Sequence, residues 1–371
     1  MEGEDAAGRE PDEAESPLHA RFFSPGPKRI LSLDGGGIRG ILTSGILTAL
    51  ETRLARRSGR RDFRLCDYFD LIGGTSTGSL VAAALAMGRS TAEIADLYRK
   101  LAPEVFSPKG RNAGIRKPRF DADRLEEILK QALGDAELGS PALKTGFAVF
   151  AKRVDTGSAW SLTNNPRAQY WNMSDGHLAN RKFLVRKLVQ ASAAAPTFFE
   201  ECKIGLVEDG HTFGPDFDTT AEFVDGAIAG FNNPSLQLLK VATLKGYGFN
   251  WPTGDDRLMM ISIGTGYWRP RLDAETWADT TLDELAPTAA RAIEALKSMI
   301  HDTSVQAISV LQGLSHSPRP WRINSEIGDM TEDMISPLPL LHYQRMDARL
   351  DRAETEKLGL RYGDHELKLM R

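Results

Sequence analysis

Cysteine is scarce in this chain: 371 residues contain only Cys66 and Cys202. Two isolated thiols supply neither a disulfide framework nor the ligand spacing of a metal site. A reducing, cytoplasmic setting is therefore expected, with Cys66 read as a packing residue. No apolar run approaches the roughly 20 residues of a membrane helix. The first residues, MEGEDAAGREPDEAES, lack the charged-then-apolar order of a secretion signal. Net charge is only −4, too little for a global field that would recruit a nucleic-acid polymer. Histidine is also sparse. None of the seven (His19, His177, His211, His301, His316, His342 and His365) stands in a recognisable motif.

What is present is the balance of a globular protein, with 41% hydrophobic and 26% charged residues. Residues 1–27 are polar, acidic and rich in Pro and Gly, which predicts a disordered tail. Folded structure is expected over residues 28–371, as a core to about residue 270 and an extension over residues 271–371. Residues 28–37, KRILSLDGGG, read as a buried strand ending in glycines, and helical spacing follows at Ile41, Leu42, Ile46, Ala49, Leu50 and Leu54. The same order recurs: an apolar strand over residues 68–72, a turn over 73–78, and a helix from Leu80. Further strand candidates lie at residues 146–152, 221–224 and 258–263. Helical patterns cover residues 91–101, 122–133, 187–194, 234–243 and 288–312. Strands alternating with helices predict a layered α/β fold. The region after Arg269 reads as helical, then as loop around SHSPRPWRI and ISPLPLLHY.

The second turn, Gly74-Thr75-Ser76-Thr77-Gly78, fits a G-x-S-x-G nucleophile elbow. A strand that reverses into a helix so quickly strains the Ser backbone, and Gly at both flanks removes the side chains that would collide. The Ser76 hydroxyl then projects at a helix N-terminus, where free N–H groups favour developing negative charge. The first turn, Asp34-Gly35-Gly36-Gly37-Ile38-Arg39-Gly40, offers several backbone N–H groups to one point. Such a nest suits a phosphate or the oxyanion of acyl transfer. It lacks the Lys of a P-loop and does not follow the dinucleotide pattern. Beside an elbow, the oxyanion reading of Gly35, Gly36 and Gly37 is preferred, with Arg39 in support.

A nucleophilic Ser needs a base. The candidate is Asp225, where the apolar strand of FVDGAIAGFNNPS ends and Gly226 lets the chain turn. A free carboxylate is a weak base, and burial would strengthen it.

DGGGIRG, GTSTG and the later DGA, in this order, resemble the patatin-like phospholipase family. ASAAAPTFF (residues 191–199) and ISIGTG (residues 261–266) extend the resemblance to about residues 30–266. It implies a three-layer α/β/α fold with a mainly parallel central sheet, here with a C-terminal helical extension. It also implies lipid acyl hydrolysis by a Ser76–Asp225 dyad without His, metal or cofactor. Gly35, Gly36 and Gly37 would form the oxyanion hole, with Gly74, Gly78 and Gly226 supporting the turns.

The expected substrate is membrane phospholipid, met at the bilayer surface by a cytoplasmic protein. Phe106, Phe198 and Phe199 are candidate apolar contacts. Two basic clusters are candidate contacts for anionic groups: Arg53, Arg56, Arg57, Arg60, Arg61 and Arg64, and Lys109, Arg111, Arg116, Lys117 and Arg119. In overall layout the chain also resembles patatin-like anti-phage effectors switched on by a cyclic nucleotide. That would add a cyclic-nucleotide activator and a homo-oligomer. Two alternatives stay open: an acyltransferase or thioesterase using the same dyad, and a non-catalytic phosphate- or nucleotide-binding module.

Overall fold

The computed structural model describes residues 16–105, 120–173, 176–208, 210–211, 219–267, 287–350 and 356–357. The strands are β1 (Lys28–Leu33), β2 (Leu71–Thr75), β3 (Gly146–Arg153), β4 (Ala159–Thr163), β5 (Cys202–Gly205), β6 (Thr220–Asp225), β7 (Leu258–Ile263), β8 (Ser315–His316) and β9 (Leu341–Met346). They form one sheet in the order β5-β6-β3-β2-β1-β7-β9-β8, with β4 also paired to β3. Pairings from β3 through β2, β1, β7 and β9 to β8 are parallel. Those of β4 and β6 with β3, and of β5 with β6, are antiparallel.

The helices are α1 (Pro17–Phe23), α2 (Gly40–Ser58), α3 (Leu65–Tyr68), α4 (Thr77–Ala86), α5 (Thr91–Val105), α6 (Ala122–Leu133), α7 (Val185–Ala193), α8 (Ser235–Thr243) and α9 (Pro287–Gly313). Strand residues alternate between two cores, as a period of two requires. Leu31, Leu33, Ile72, Phe147, Val149 and Ile263 face one core, shared with α2, α4, α5, α6 and α7. Ile30, Leu71, Ala148, Phe150, Met260 and Tyr343 face the other, shared with α1, α8 and α9. This is the expected three-layer architecture. Local chemistry sets the helix limits. In α6, the Asp121 side chain caps the N–H groups of Asp123 and Arg124, and the helix stops at Gly134, whose φ is +64°.

Three expectations need correction. The tail assigned to residues 1–27 contains α1. Its Phe22 is buried against Phe249 (ring centroids 5.0 Å), and Trp251 donates its indole N–H to the Phe22 carbonyl at 2.8 Å. Burial of one such ring contributes about 1.5–3 kcal/mol, enough to order a short polar-flanked helix. The second strand begins at Leu71, not residue 68, because Tyr68 closes α3. It runs through Gly73 and Gly74, which are strand residues and not yet a turn. The space above Gly73 is filled by the Leu238 side chain. Finally, residues 271–371 are not simply a helical extension. After α9 the chain returns to the sheet, and β9 pairs with β7 in parallel from Met259↔His342 to Ile263↔Met346. Phe106 and the basic residues Lys109, Arg111, Arg116, Lys117 and Arg119 lie outside the described residues.

Candidate active site

Strand β2 ends at Thr75 and α4 begins at Thr77, so Ser76 alone makes the reversal. Its φ of +54° and ψ of −131° lie in a region that L-residues rarely adopt. The flanking glycines make this close passage possible. A Cβ on Gly74 would stand 2.3 Å from the Gly78 carbonyl oxygen, and one on Gly78 would stand 2.5 Å from the Leu33 and Asp34 oxygens. The elbow is held by side chains from elsewhere. The Ser76 N–H donates to Ser192 Oγ at 2.9 Å, and Ser192 donates to the Phe150 carbonyl at 2.6 Å. Ser192 sits in the ASAAAPTFF stretch, whose similarity gave no hint of this bracing contact.

Register brings Asp225 to the same level. Thr75 pairs with Phe150 on β3, and the next β3 residue, Ala151, pairs with Asp225. Strand β6 runs antiparallel to β3, so Asp225 enters the site from the direction opposite to Ser76. Gly226 then allows the turn: a Cβ there would meet the Phe150 carbonyl at 2.4 Å. Asp225 is 3% exposed. Its carboxylate accepts from the Ala227 N–H at 2.9 Å. Burial pushes its pKa from 3.8 up to about 6, against the pull of that amide and of the nearby Ser76 hydroxyl. Among the described residues it is Asp225, and no histidine, that lies beside Ser76.

The glycine turn lies across from them. One expectation fails here: the Gly35 N–H donates to the Asn232 carbonyl at 2.9 Å, so it is already committed. Gly35 serves by its lack of a side chain, since a Cβ would lie 3.1 Å from Ser76 Cβ. Gly36 and Gly37, at the start of a 3-10 turn, have no acceptor among the described residues. Thr77 is the first residue of α4, and its N–H likewise has no partner within the helix. These amides are the available donors. Arg39 is largely buried and reaches the Gly266 carbonyl at 3.3 Å; burial lowers its pKa, opposed by Asp347 and Asp34.

Behind the turn stands a residue that the sequence reading passed over. Arg345 of β9 grips the Asp34 carboxylate with both terminal nitrogens, at 2.9 and 2.7 Å. It also donates to Ser262 Oγ and to Asp347, each at 2.7 Å. Burial works against the Arg345 charge, but Asp34 and Asp347 outweigh it and its pKa is raised.

The remaining candidates sort by position. Phe198 and Phe199 pack on Phe120, with centroids 5.7 and 5.5 Å away. In the first basic cluster Arg60 pairs with Asp62 and Asp67, at 3.1 and 3.2 Å. Both cysteines are buried and unpaired, and burial pushes the Cys202 thiol up to about 12. No group of residues suited to holding a metal occurs among the described residues, and no helix there is long and apolar enough to cross a membrane.

A family model described as patatin-like phospholipase matches residues 31–239, a span that holds Ser76 and Asp225 but not Arg345. Patatin-17 of Solanum cardiophyllum is 30% identical over 256 residues, covering 64% of this chain and 60% of that protein. Patatin-like protein 3 of Arabidopsis thaliana is 32% identical over 269 residues, covering 64% of this chain and 58% of that protein. The chain thus spans about 60% of the length of these curated relatives. Among solved structures, VipD from Legionella pneumophila overlaps 87% of this chain and 62% of its own at 12% identity. With a TM-score of 0.35, that likeness is too loose to carry an argument.

Proposed function

The chain belongs to the patatin-like phospholipase family, and from that premise we propose that it is a serine acyl hydrolase cleaving fatty-acyl esters of membrane phospholipids. The observation that carries this reading is Ser76, on a strained backbone turn, beside the buried Asp225 carboxylate, whose pKa the serine hydroxyl lowers. As Ser76 Oγ bonds to the ester carbonyl carbon, its proton passes to Asp225. The carbonyl oxygen becomes an oxyanion, stabilised by the Gly36, Gly37 and Thr77 amides. One such donor supplies about 10²–10³ in rate. Collapse breaks the ester C–O bond, and the leaving lysolipid oxygen takes the proton from Asp225. Water then attacks the acyl-enzyme, giving its proton to Asp225. The second collapse returns that proton to Ser76 Oγ and frees the fatty acid.

Phe198 and Phe199, which pack on Phe120, would be the apolar contacts of the acyl chain, and contact with the bilayer would be peripheral. An acyltransferase or thioesterase would use the same dyad, so products decide between them. A phosphate-binding module would cut no bond.

The experiment is fatty-acid release from mixed phospholipid vesicles, with and without a panel of cyclic nucleotides, beside fluorophosphonate labelling. Release and labelling are expected in the wild type and absent in Ser76→Ala. Undiminished release by Ser76→Ala would refute the nucleophile. Stimulation by a cyclic nucleotide would support the narrower reading of a regulated anti-phage effector, which rests on resemblance alone.

A further inference from the structure

A turn made of glycines has no side chains with which to fix its own pose, so its amides must be aimed from outside. The aiming device is visible in the sheet register. Ser32 of β1 pairs with Ser262 of β7, and Ser262 pairs with Arg345 of β9. These three positions therefore face the same side, as does Asp34, two residues beyond Ser32. Because residue 262 is a small Ser, the Arg345 side chain passes over β7 and hydrogen-bonds its hydroxyl on the way. It ends in a two-point grip on Asp34, immediately before the glycines.

The same guanidinium holds Asp347, whose other oxygen accepts from the Gly266 and Ala348 N–H groups at 2.8 Å each. Between these ends, Thr265 donates to the Gly35 carbonyl at 3.2 Å and occupies the space where a Gly36 side chain would stand. One cation thus ties the ends of β1, β7 and β9 into a single frame around the turn.

We propose that Arg345 is a positioning residue for the reaction: acting through Asp34, it sets the Gly36 and Gly37 amides where the oxyanion forms. This rests on the reading of Ser76 as nucleophile. Stability alone is a poor reason for such a cluster, since a buried ion pair is often matched or bettered by apolar packing. What a planar, two-point guanidinium–carboxylate contact adds is a fixed angle, which an ammonium group does not reproduce.

The test uses the full chain with Arg345→Lys and, against the chance that an unpaired Asp34 prevents folding, the double variant Asp34→Asn/Arg345→Gln. Melting curves establish that each is folded at the assay temperature. Turnover of p-nitrophenyl butyrate and inhibition by a trifluoromethyl ketone of the same acyl length are then measured, the ketone adding to Ser76 as an oxyanion mimic. We expect kcat to fall about 30- to 100-fold with KM within about two-fold, and ketone affinity to weaken by a similar factor. Folded variants with near wild-type kcat would overturn the proposal, as would a kcat loss with ketone affinity unchanged. Ser76→Ala run alongside separates the two readings. If it retains turnover, the nucleophile assignment falls and this proposal with it. If it is silent while the Arg345 variants match wild type, only the positioning role falls.

Discussion

Two aspartates are buried at the same end of the sheet, and the protein treats them in opposite ways. Asp34 is met by a buried guanidinium that satisfies both its oxygens. Asp225 is equally buried, yet among the described residues the groups acting on it are an amide N–H and a serine hydroxyl, and no cation. Burial raises the pKa of both, to about 6 in each case. Asp34 has both oxygens held by Arg345 and can keep a backbone in place, whereas Asp225 lies beside the Ser76 hydroxyl and can exchange a proton with it. Burial and proton affinity are common to both; the partner decides which task each can perform.

The contrast is sharpest at Asp225→Asn. Loss of the base should lower kcat about 10³-fold while Asn keeps the packing, which steady-state kinetics would reveal. In the wild type, log(kcat/KM) should climb with pH and level off above about 6, where Asp225 is ionised. A profile flat through that range would break the contrast.

Arg345→Met probes the other side. Stranding Asp34 in the interior without its cation should destabilise the fold by about 3–5 kcal/mol, read by urea denaturation. A smaller loss would mean that water reaches Asp34.

The next effect has the opposite sign. The Asp225 pKa is raised on folding from 3.8 to about 6, so its stabilising protonation is complete below about pH 4 and lost as pH rises through 6. At pH 7–8 the buried charge destabilises the native state by up to about 3 kcal/mol. Asp225→Asn should therefore melt higher than wild type at pH 8, with the gain gone by about pH 4. The smallest effect belongs to Thr265→Val, which removes one hydrogen bond to the Gly35 carbonyl. It should lower stability by about 1 kcal/mol.

The parts of the fold that were legible are those where pattern and burial coincide. The α6 limits and the strands Lys28–Leu33 and Leu258–Ile263 follow from spacing alone, and the paired glycine turns located both halves of the candidate site. The start of β2 was displaced because Gly73 and Gly74 read as a turn. Their place in a strand depends on Leu238 and the α4 backbone, which are distant or out of pattern. Asn232, which captures the Gly35 amide, gives no local signal at all.

Strand β9 is different, because its signal was present. Leu341, Tyr343 and Arg345 are buried while His342, Gln344 and Met346 are not. An arginine in the buried phase of an alternating strand calls for an acid nearby. The Pro-rich flank at residues 337–339 disguised that strand as loop.

The reach of Arg345 across 311 positions to Asp34 also imposes an order in time. During translation Ser76, Asp225 and the glycines all leave the ribosome well before the guanidinium that holds Asp34. A nascent chain therefore carries the elements of the candidate site before Asp34 and the glycine turn beside it are held, and that grip forms only after residue 345 has emerged.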